Sequence, residues 1–164
     1  MHREALEWVH ENAPRDALTV LDIGGRDVNG SPRGLFEVAA AYRVVDRIPG
    51  PGVDVVADAA TWTPDRAYDV VLCCEVFEHD EAWRLLITTA WEALRPDGLF
   101  VATMAGPGRE SHSGIDGGTL RDGEYYANIE PTHLQKALAR QGFGGIVMDQ
   151  VGPDLRCRAM KPGA

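Results

Sequence analysis

Three aspartates are the residues of this chain best placed to do chemistry. Asp22, Asp46 and Asp58 stand at or just after the ends of successive apolar runs, and Gly24 and Gly25 follow the first run. A carboxylate has two acceptor oxygens, which suits a pair of neighbouring hydroxyls, and paired glycines let the backbone approach a ligand closely. Asp46 lies about 20 residues beyond the glycines, the spacing expected of an acid that binds ribose hydroxyls. The pattern therefore predicts a site for a ligand that contains a ribose.

Such residues need a sheet whose strand ends meet at one edge. Strands are predicted at residues 18–23, 42–46, 53–57, 68–74, 99–104, 145–151 and 154–160, and helices at residues 1–12, 35–41, 81–94 and 131–141. Their alternation predicts an α/β fold with a doubly wound, mostly parallel sheet, and the last two strands predict an antiparallel edge. Two prolines and two glycines in residues 47–52 leave no helix between the second and third strands.

The composition limits the class of protein. A chain of 164 residues with 45% hydrophobic residues fits a single domain, placed over residues 1–164 with a leading helical segment at 1–17. No apolar run reaches the roughly 18 residues that cross a bilayer, and no apolar signal region follows Met1. We therefore expect a cytoplasmic protein without a membrane partner, either monomer or homodimer. The net charge of −9 disfavours nucleic acid as a partner.

Four segments stand in the order of a known family. They are residues 20–25 (VLDIGG), 44–46 (VVD), 55–59 (VVADA) and 68–79 (YDVVLCCEVFEH), with the turn 94–99 (LRPDGL) after them. With these segments the chain resembles the class I S-adenosylmethionine-dependent methyltransferases, and within them the small type 11 domain group. The resemblance implies a Rossmann-like fold, an enzyme that transfers methyl groups (EC 2.1.1.-), and S-adenosylmethionine as cofactor with S-adenosylhomocysteine as product. The implied methyl transfer requires no metal ion.

The resemblance also implies roles for individual residues. Gly24 and Gly25 would let the backbone reach the methionine portion of the cofactor, and Asp22 would orient that loop near the cofactor's ammonium group. Asp46 would accept hydrogen bonds from both ribose hydroxyls, and Asp58 would accept one from the adenine amino group. The other residues implied at the cofactor are Arg47, Ala59, Cys74 and Glu75.

The glycine loop departs from the family's pattern. The family's loop usually carries two further glycines, whereas Arg26 and Val28 occupy those positions here. The loop is therefore expected to be longer or differently bent than in the family.

The acceptor side is expected in residues 105–130, a long polar segment after the fifth strand, since such a loop in a compact domain is usually functional. His112 is the candidate general base, because imidazole can take up a proton near neutral pH. His79, Tyr125 and Tyr126 are candidate substrate residues. Other readings stay open, since His79 equally suits the start of a helix, His112 a solvated loop position, and the tyrosines packing of the loop.

The predicted function is therefore S-adenosylmethionine-dependent methyl transfer to an unidentified small-molecule acceptor. A non-catalytic module that binds the same cofactor stays an alternative, because the glycine loop is altered. A nicotinamide-dependent oxidoreductase would share the glycine loop and the ribose acid, but residues 58–59 and 74–76 favour the methyltransferase. A nucleic-acid methyltransferase ranks third, because the chain is acidic and lacks an Asn/Asp-Pro-Pro-aromatic tetrad after the fourth strand.

Overall fold

The computed structural model describes residues 3–14, 16–17 and 19–163, and in them one seven-stranded sheet carries the fold. The strands are β1 Thr19–Ile23, β2 Ala41–Asp46, β3 Val55–Val56, β4 Tyr68–Cys74, β5 Leu94–Ala105, β6 Gly144–Val151 and β7 Asp154–Met160. The helices are α1 Arg3–Asn12, α2 Trp83–Ala93 and α3 Pro131–Gln141. The strand order is β3-β2-β1-β4-β5-β7-β6. Strands β1 to β5 all pair in parallel, and β7 is antiparallel to both β5 and β6. The predicted fold class is therefore confirmed.

The central strands are buried on both faces. Leu21 and Ile23 of β1 belong to a core with the side chains of α2 and α3, whereas Val20 belongs to a second core with Trp8 and Val9 of α1. Successive side chains of a strand point to opposite faces, so one strand supports both cores. Strand β1 is therefore covered by a hydrophobic core on each face of the sheet.

The predicted helix at residues 35–41 is wrong. Pro32–Phe36 forms a single 3₁₀ turn instead, and β2 begins at Ala41. A run this short cannot repay the cost of helix nucleation, whereas Ala41 gains a strand partner opposite Thr19 of β1. The Ser31 hydroxyl caps the turn by accepting a hydrogen bond from the Arg33 N–H at 3.2 Å.

The third strand is shorter than the predicted residues 53–57. Only Val55 and Val56 pair with β2, in parallel and without a crossover helix. Asp54 extends the contact with β2, because its backbone N–H donates to the Val44 carbonyl at 3.1 Å and its carboxylate accepts the Val44 N–H at 2.8 Å. The sequence correctly predicts that no helix lies between β2 and β3, but it does not predict where the pairing of these two strands ends.

Other element bounds differ little from those predicted. Strand β5 begins at Leu94 rather than Leu99, with residues 95–98 bulging out of its pairing with β4, and α2 is shorter than predicted at both ends. Helix α3 and strand β7 have the predicted bounds. Met1, His2 and Leu18, which were assigned to the first helix and strand, lie outside the described residues. Among the described helices, none is long and apolar enough to cross a membrane.

Candidate functional site

The site lies where β1, β2 and β4 end, at the point where the strand order reverses between β1 and β4. Open α/β sheets bind ligands in the crevice at such a switch point. Gly24 leaves β1 with a left-handed φ of 71°, and its N–H donates to the Val45 carbonyl at 2.8 Å. Glu75 leaves β4 with a φ of 57°, and the Thr103 hydroxyl donates to its carboxylate at 2.8 Å. The strand ends thus turn sharply and open a space between them.

The Asp46 carboxylate, at the end of β2, is held by two backbone donors. One oxygen accepts the Ile48 N–H at 2.8 Å, and the other accepts the Arg26 N–H at 3.2 Å. Each carboxylate oxygen can accept a second hydrogen bond, and the residue is partly exposed. The carboxylate is therefore oriented by the backbone while it keeps acceptor capacity for a ligand.

Asp22 is a buried carboxylate beneath the glycine loop. It is 1% exposed, and the Tyr42 hydroxyl donates to it at 2.7 Å. Burial raises the pKa of Asp22 to about 7, although the Tyr42 hydrogen bond and the nearby Arg33 charge oppose the rise. A Cβ added at Gly25 would lie 2.3 Å from an Asp22 oxygen, so the glycine permits the carboxylate to pack directly under the loop.

Two adjoining cavities of about 620 and 360 Å³ occupy the crevice. The residues that line both are Gly24, Arg26, Asp46, Glu75, His79 and Gly114. The larger cavity adds the polar surface of residues 109–113. The smaller one adds an apolar wall of Ile23, Val45, Ile48, Ala57, Ala59, Val76 and Leu86. One end of the crevice therefore suits a flat apolar ring, and the other suits a polar or charged group.

The structure brings most of the predicted cofactor residues to these cavities. Those lining the larger cavity are Asp22, Gly24, Gly25, Asp46, Cys74 and Glu75, and Arg47 and Ala59 line the smaller one. Asp58 lines neither. Its exposed carboxylate accepts the Ala60 N–H at 2.9 Å, as a turn-capping aspartate does, so its contact with adenine stays a prediction.

Arg26 crosses the crevice, and sequence reasoning did not assign it to the site. Its guanidinium donates to the carbonyl oxygens of Gly114 and Ile115 at 3.3 and 2.9 Å. The side chain therefore joins the loop after β1 to the long loop after β5, between the two cavities. The signal was in the sequence, since Arg26 stands where the resembling family carries a glycine.

The long loop after β5 folds over the crevice and is held by its own polar contacts. The Ser113 hydroxyl donates to the Glu124 carboxylate at 2.7 Å, and the Tyr126 hydroxyl donates to the Glu110 carbonyl at 3.1 Å. Tyr125 lines the smaller cavity, whereas Tyr126 packs its ring against His112, with 5.1 Å between ring centroids. The two tyrosines thus lie apart: Tyr126 packs within the loop, whereas Tyr125 is exposed at the smaller cavity.

His79 and His112 meet on the wall of the larger cavity, although 33 positions separate them in the chain. Their ring centroids are 4.9 Å apart. Burial, followed by the charge of the adjacent His112, lowers the pKa of His79 to about 4. We therefore expect His79 to be neutral at physiological pH, with a nitrogen lone pair available.

Glu78, which sequence reasoning passed over, lies beside these histidines. It is fully buried, at 0% exposed. Burial, followed by the negative charge of Glu75, raises the pKa of Glu78 to about 8. A buried carboxylate is costly unless something compensates its charge, so Glu78 is the residue of this site that most requires an explanation.

Gly24 offers a test of how tightly the loop is packed. A Cβ at Gly24 would lie 2.4 Å from Val76 Cγ2, whereas one at Gly52, also at positive φ (78°), would meet nothing within 4 Å. We expect Gly24→Ala to lower the free energy of unfolding by roughly 3 kcal/mol and Gly52→Ala by about 1 kcal/mol. Urea denaturation measures both, and equal losses would contradict the predicted clash.

A doubly wound sheet with its crevice at the switch point, a glycine loop after β1 and an acid after β2 defines a Rossmann-like cofactor-binding protein. A family model described as a methyltransferase domain matches residues 1–146. The chain belongs to this methyltransferase family, which confirms the resemblance to class I S-adenosylmethionine-dependent methyltransferases. A sequence search of curated proteins finds no match.

Solved structures share this fold. The Burkholderia thailandensis 1,6-didemethyltoxoflavin N1-methyltransferase, with 1,6-didemethyltoxoflavin and S-adenosylhomocysteine bound, has a TM-score of 0.70 at 18% identity, over 98% of this chain and 77% of that one. A Mesorhizobium loti S-adenosylmethionine-dependent methyltransferase has a TM-score of 0.70 at 18% identity, over 94% and 97%. Haemonchus contortus phosphoethanolamine N-methyltransferase 2, with S-adenosylmethionine, has a TM-score of 0.73 at 14% identity, and the chain spans 52% of its length.

Proposed function

We propose that the chain binds S-adenosylmethionine in the crevice and transfers its methyl group to a small molecule held in the larger cavity. The observation that carries this proposal is Asp46, whose carboxylate lies at the junction of the two cavities and is oriented by two backbone N–H groups. A ribose at that junction would place its base in the apolar cavity and its other substituent in the polar one.

The residues present fit the two ends of such a cofactor. Ile48, Ala57 and Val76 offer an apolar wall for the adenine ring. Gly24 and Gly25 keep the backbone open to the methionine end, where a side chain on either residue would strike Val76 or Asp22. Solved structures of this fold are described with S-adenosylmethionine or S-adenosylhomocysteine bound, which supports the same cofactor here.

The chain's own contribution to the reaction is alignment. S-adenosylmethionine supplies a methyl group on a positively charged sulfur, and a nucleophile displaces it in line. Cys74 and Glu75 line the methionine side of the larger cavity, and residues 109–113 form its opposite wall. Holding donor and acceptor in this geometry contributes several kcal/mol of the barrier reduction. The long loop covers the crevice, so it would also limit the access of water to the reacting groups.

The first test is calorimetric titration of the full chain with S-adenosylmethionine, S-adenosylhomocysteine and NAD⁺. We expect binding of the first two at a one-to-one ratio and no binding of NAD⁺, because the smaller cavity and Asp46 serve one nucleoside only. Production of S-adenosylhomocysteine with a panel of small hydroxyl, amine and thiol compounds then separates an enzyme from a binding module. Preference for NAD⁺, or no binding of either methionine derivative, would overturn the proposal.

A further inference from the structure

Three potential metal ligands converge at the acceptor end of the larger cavity. Glu78 and His79 belong to a single 3₁₀ turn after β4, and His112 comes from the long loop after β5. One ligand atom from each residue lies within 4.8 Å of the other two. Ligand atoms around one zinc-sized ion, with bonds of about 2.0–2.2 Å, are at most about 4.4 Å apart. Small side-chain rotations would therefore close the set around an ion.

The buried carboxylate of Glu78 points to an absent partner. Among the described residues, neither of its oxygens accepts a well-formed hydrogen bond, although both are shielded from solvent. Arg109, whose charge acts on Glu78, is already paired with Asp154. Natural proteins rarely leave a buried carboxylate uncompensated. A bound cation would give both oxygens the partner that they lack.

His112 is arranged as a metal-binding histidine usually is. Its Nδ1 lies 3.1 Å from the Glu110 carbonyl oxygen, a contact that favours a proton on Nδ1 and leaves the lone pair on Nε2. In metal-binding histidines, the N–H of the second ring nitrogen commonly donates a hydrogen bond to a carbonyl or carboxylate in this way. The rings of His79, His112 and Tyr126 pack edge to face, with centroids 4.9 to 5.4 Å apart, which restrains both imidazoles.

We propose that Glu78, His79 and His112 form a binding site for one divalent transition-metal ion such as Zn²⁺, Mn²⁺ or Fe²⁺. Two imidazoles and one carboxylate suit these ions, whereas Mg²⁺ and Ca²⁺ prefer sites made of oxygen ligands. The assignment departs from the sequence-based expectation that no metal is required. It also gives His112 the role of a ligand in place of a general base.

The place of the site suggests what the ion does. Three protein ligands leave coordination positions open, and His79 and His112 both line the larger cavity. An oxygen or nitrogen donor of the acceptor would fill an open position, so the site selects small molecules that carry such a donor. This role rests on the proposed function, whereas metal binding itself does not.

The test uses the full chain, stripped with a chelator and titrated with Co²⁺ and Zn²⁺. We expect one ion per chain, with visible Co²⁺ absorption bands that Zn²⁺ abolishes. Glu78→Gln and His112→Asn should each weaken binding at least tenfold. His133→Asn removes an exposed histidine of α3 and should change nothing. Circular dichroism melts check folding, and His112→Asn, in a surface loop, remains informative if the buried Glu78→Gln variant does not fold.

Three outcomes would overturn the metal site: less than one tightly bound ion per chain, unchanged affinity in His112→Asn, or Mg²⁺ binding as tight as that of Zn²⁺. Calorimetry with S-adenosylmethionine on the same samples separates this proposal from the proposed function. Metal binding without cofactor binding leaves the metal site standing and overturns the proposed function. Cofactor binding without metal binding overturns the metal site and leaves the proposed function standing.

Discussion

Asp46→Ala is expected to weaken S-adenosylmethionine binding at least 100-fold. A hydrogen bond to a charged group contributes about 1.5–3 kcal/mol, and under the proposed function the carboxylate accepts one from each ribose hydroxyl. Two such bonds amount to roughly 3 kcal/mol or more, and each 1.4 kcal/mol is a factor of ten in affinity. The substitution also removes the acceptor for the Arg26 and Ile48 N–H groups, so the loops after β1 and β2 lose a shared anchor.

Isothermal titration calorimetry measures this loss, and two variants control for it. Asp46→Asn keeps one acceptor oxygen and should bind with intermediate affinity. Asp149→Asn removes a carboxylate from the edge strand β6, which lines neither cavity, and should bind like the wild type. If Asp46→Ala binds within a factor of three of Asp149→Asn, the ribose does not lie at the end of β2.

The sequence predicts the scaffold well because burial patterns are local. The apolar runs of β1 and β4 and the capped segment of α3 each carry their own signal, and their order determines a parallel sheet. The glycine loop and Asp46 are predictable for the same reason, since a loop after a buried strand must lie at the sheet's edge. The 35–41 helix failed because a short alanine-rich run carries little signal of its own, and pairing with β1 decided the outcome.

The parts of the site that the sequence does not reveal depend on contacts between distant segments. Glu78 is an ordinary acid in the sequence, and only the fold shows that it is buried beside His112 from a loop more than 30 positions away. Arg26 looks like a lost glycine until its hydrogen bonds to residues 114 and 115 are seen. The long loop has no periodicity, so its path over the crevice is fixed by its polar contacts rather than by any pattern.

Asp22→Asn is expected to change stability and cofactor binding in opposite directions. The pKa of Asp22 rises from 3.8 to about 7 in the folded chain, chiefly through burial. The folded state therefore holds this proton more tightly than the unfolded state does. The cost of folding with Asp22 grows as pH rises from about 4 to about 7 and is fully present above 7. Asparagine removes that cost, keeps an acceptor for the Tyr42 hydroxyl and has nearly the same volume.

We therefore expect Asp22→Asn to match the wild type near pH 4 and to exceed it by on the order of 3 kcal/mol at pH 8. Denaturant titrations across this range measure the difference. Asp69→Asn, in the neighbouring strand β4, is the control, because it should change the free energy of unfolding in the opposite direction. Partial burial would raise the pKa of Asp69, but hydrogen bonds from Thr19 and Arg95 hold it below its usual value. Its replacement should therefore lower stability at pH 8.

The same Asp22→Asn variant should bind S-adenosylmethionine about tenfold more weakly, because it loses a negative charge expected near the cofactor's ammonium group. A stabilising substitution that impairs binding is typical of a residue kept for function. If the variant gains no stability at pH 8, Asp22 is already compensated in the folded chain. If it gains stability and binds the cofactor unchanged, the carboxylate does not serve the ammonium group, and the glycine loop alone holds the methionine end.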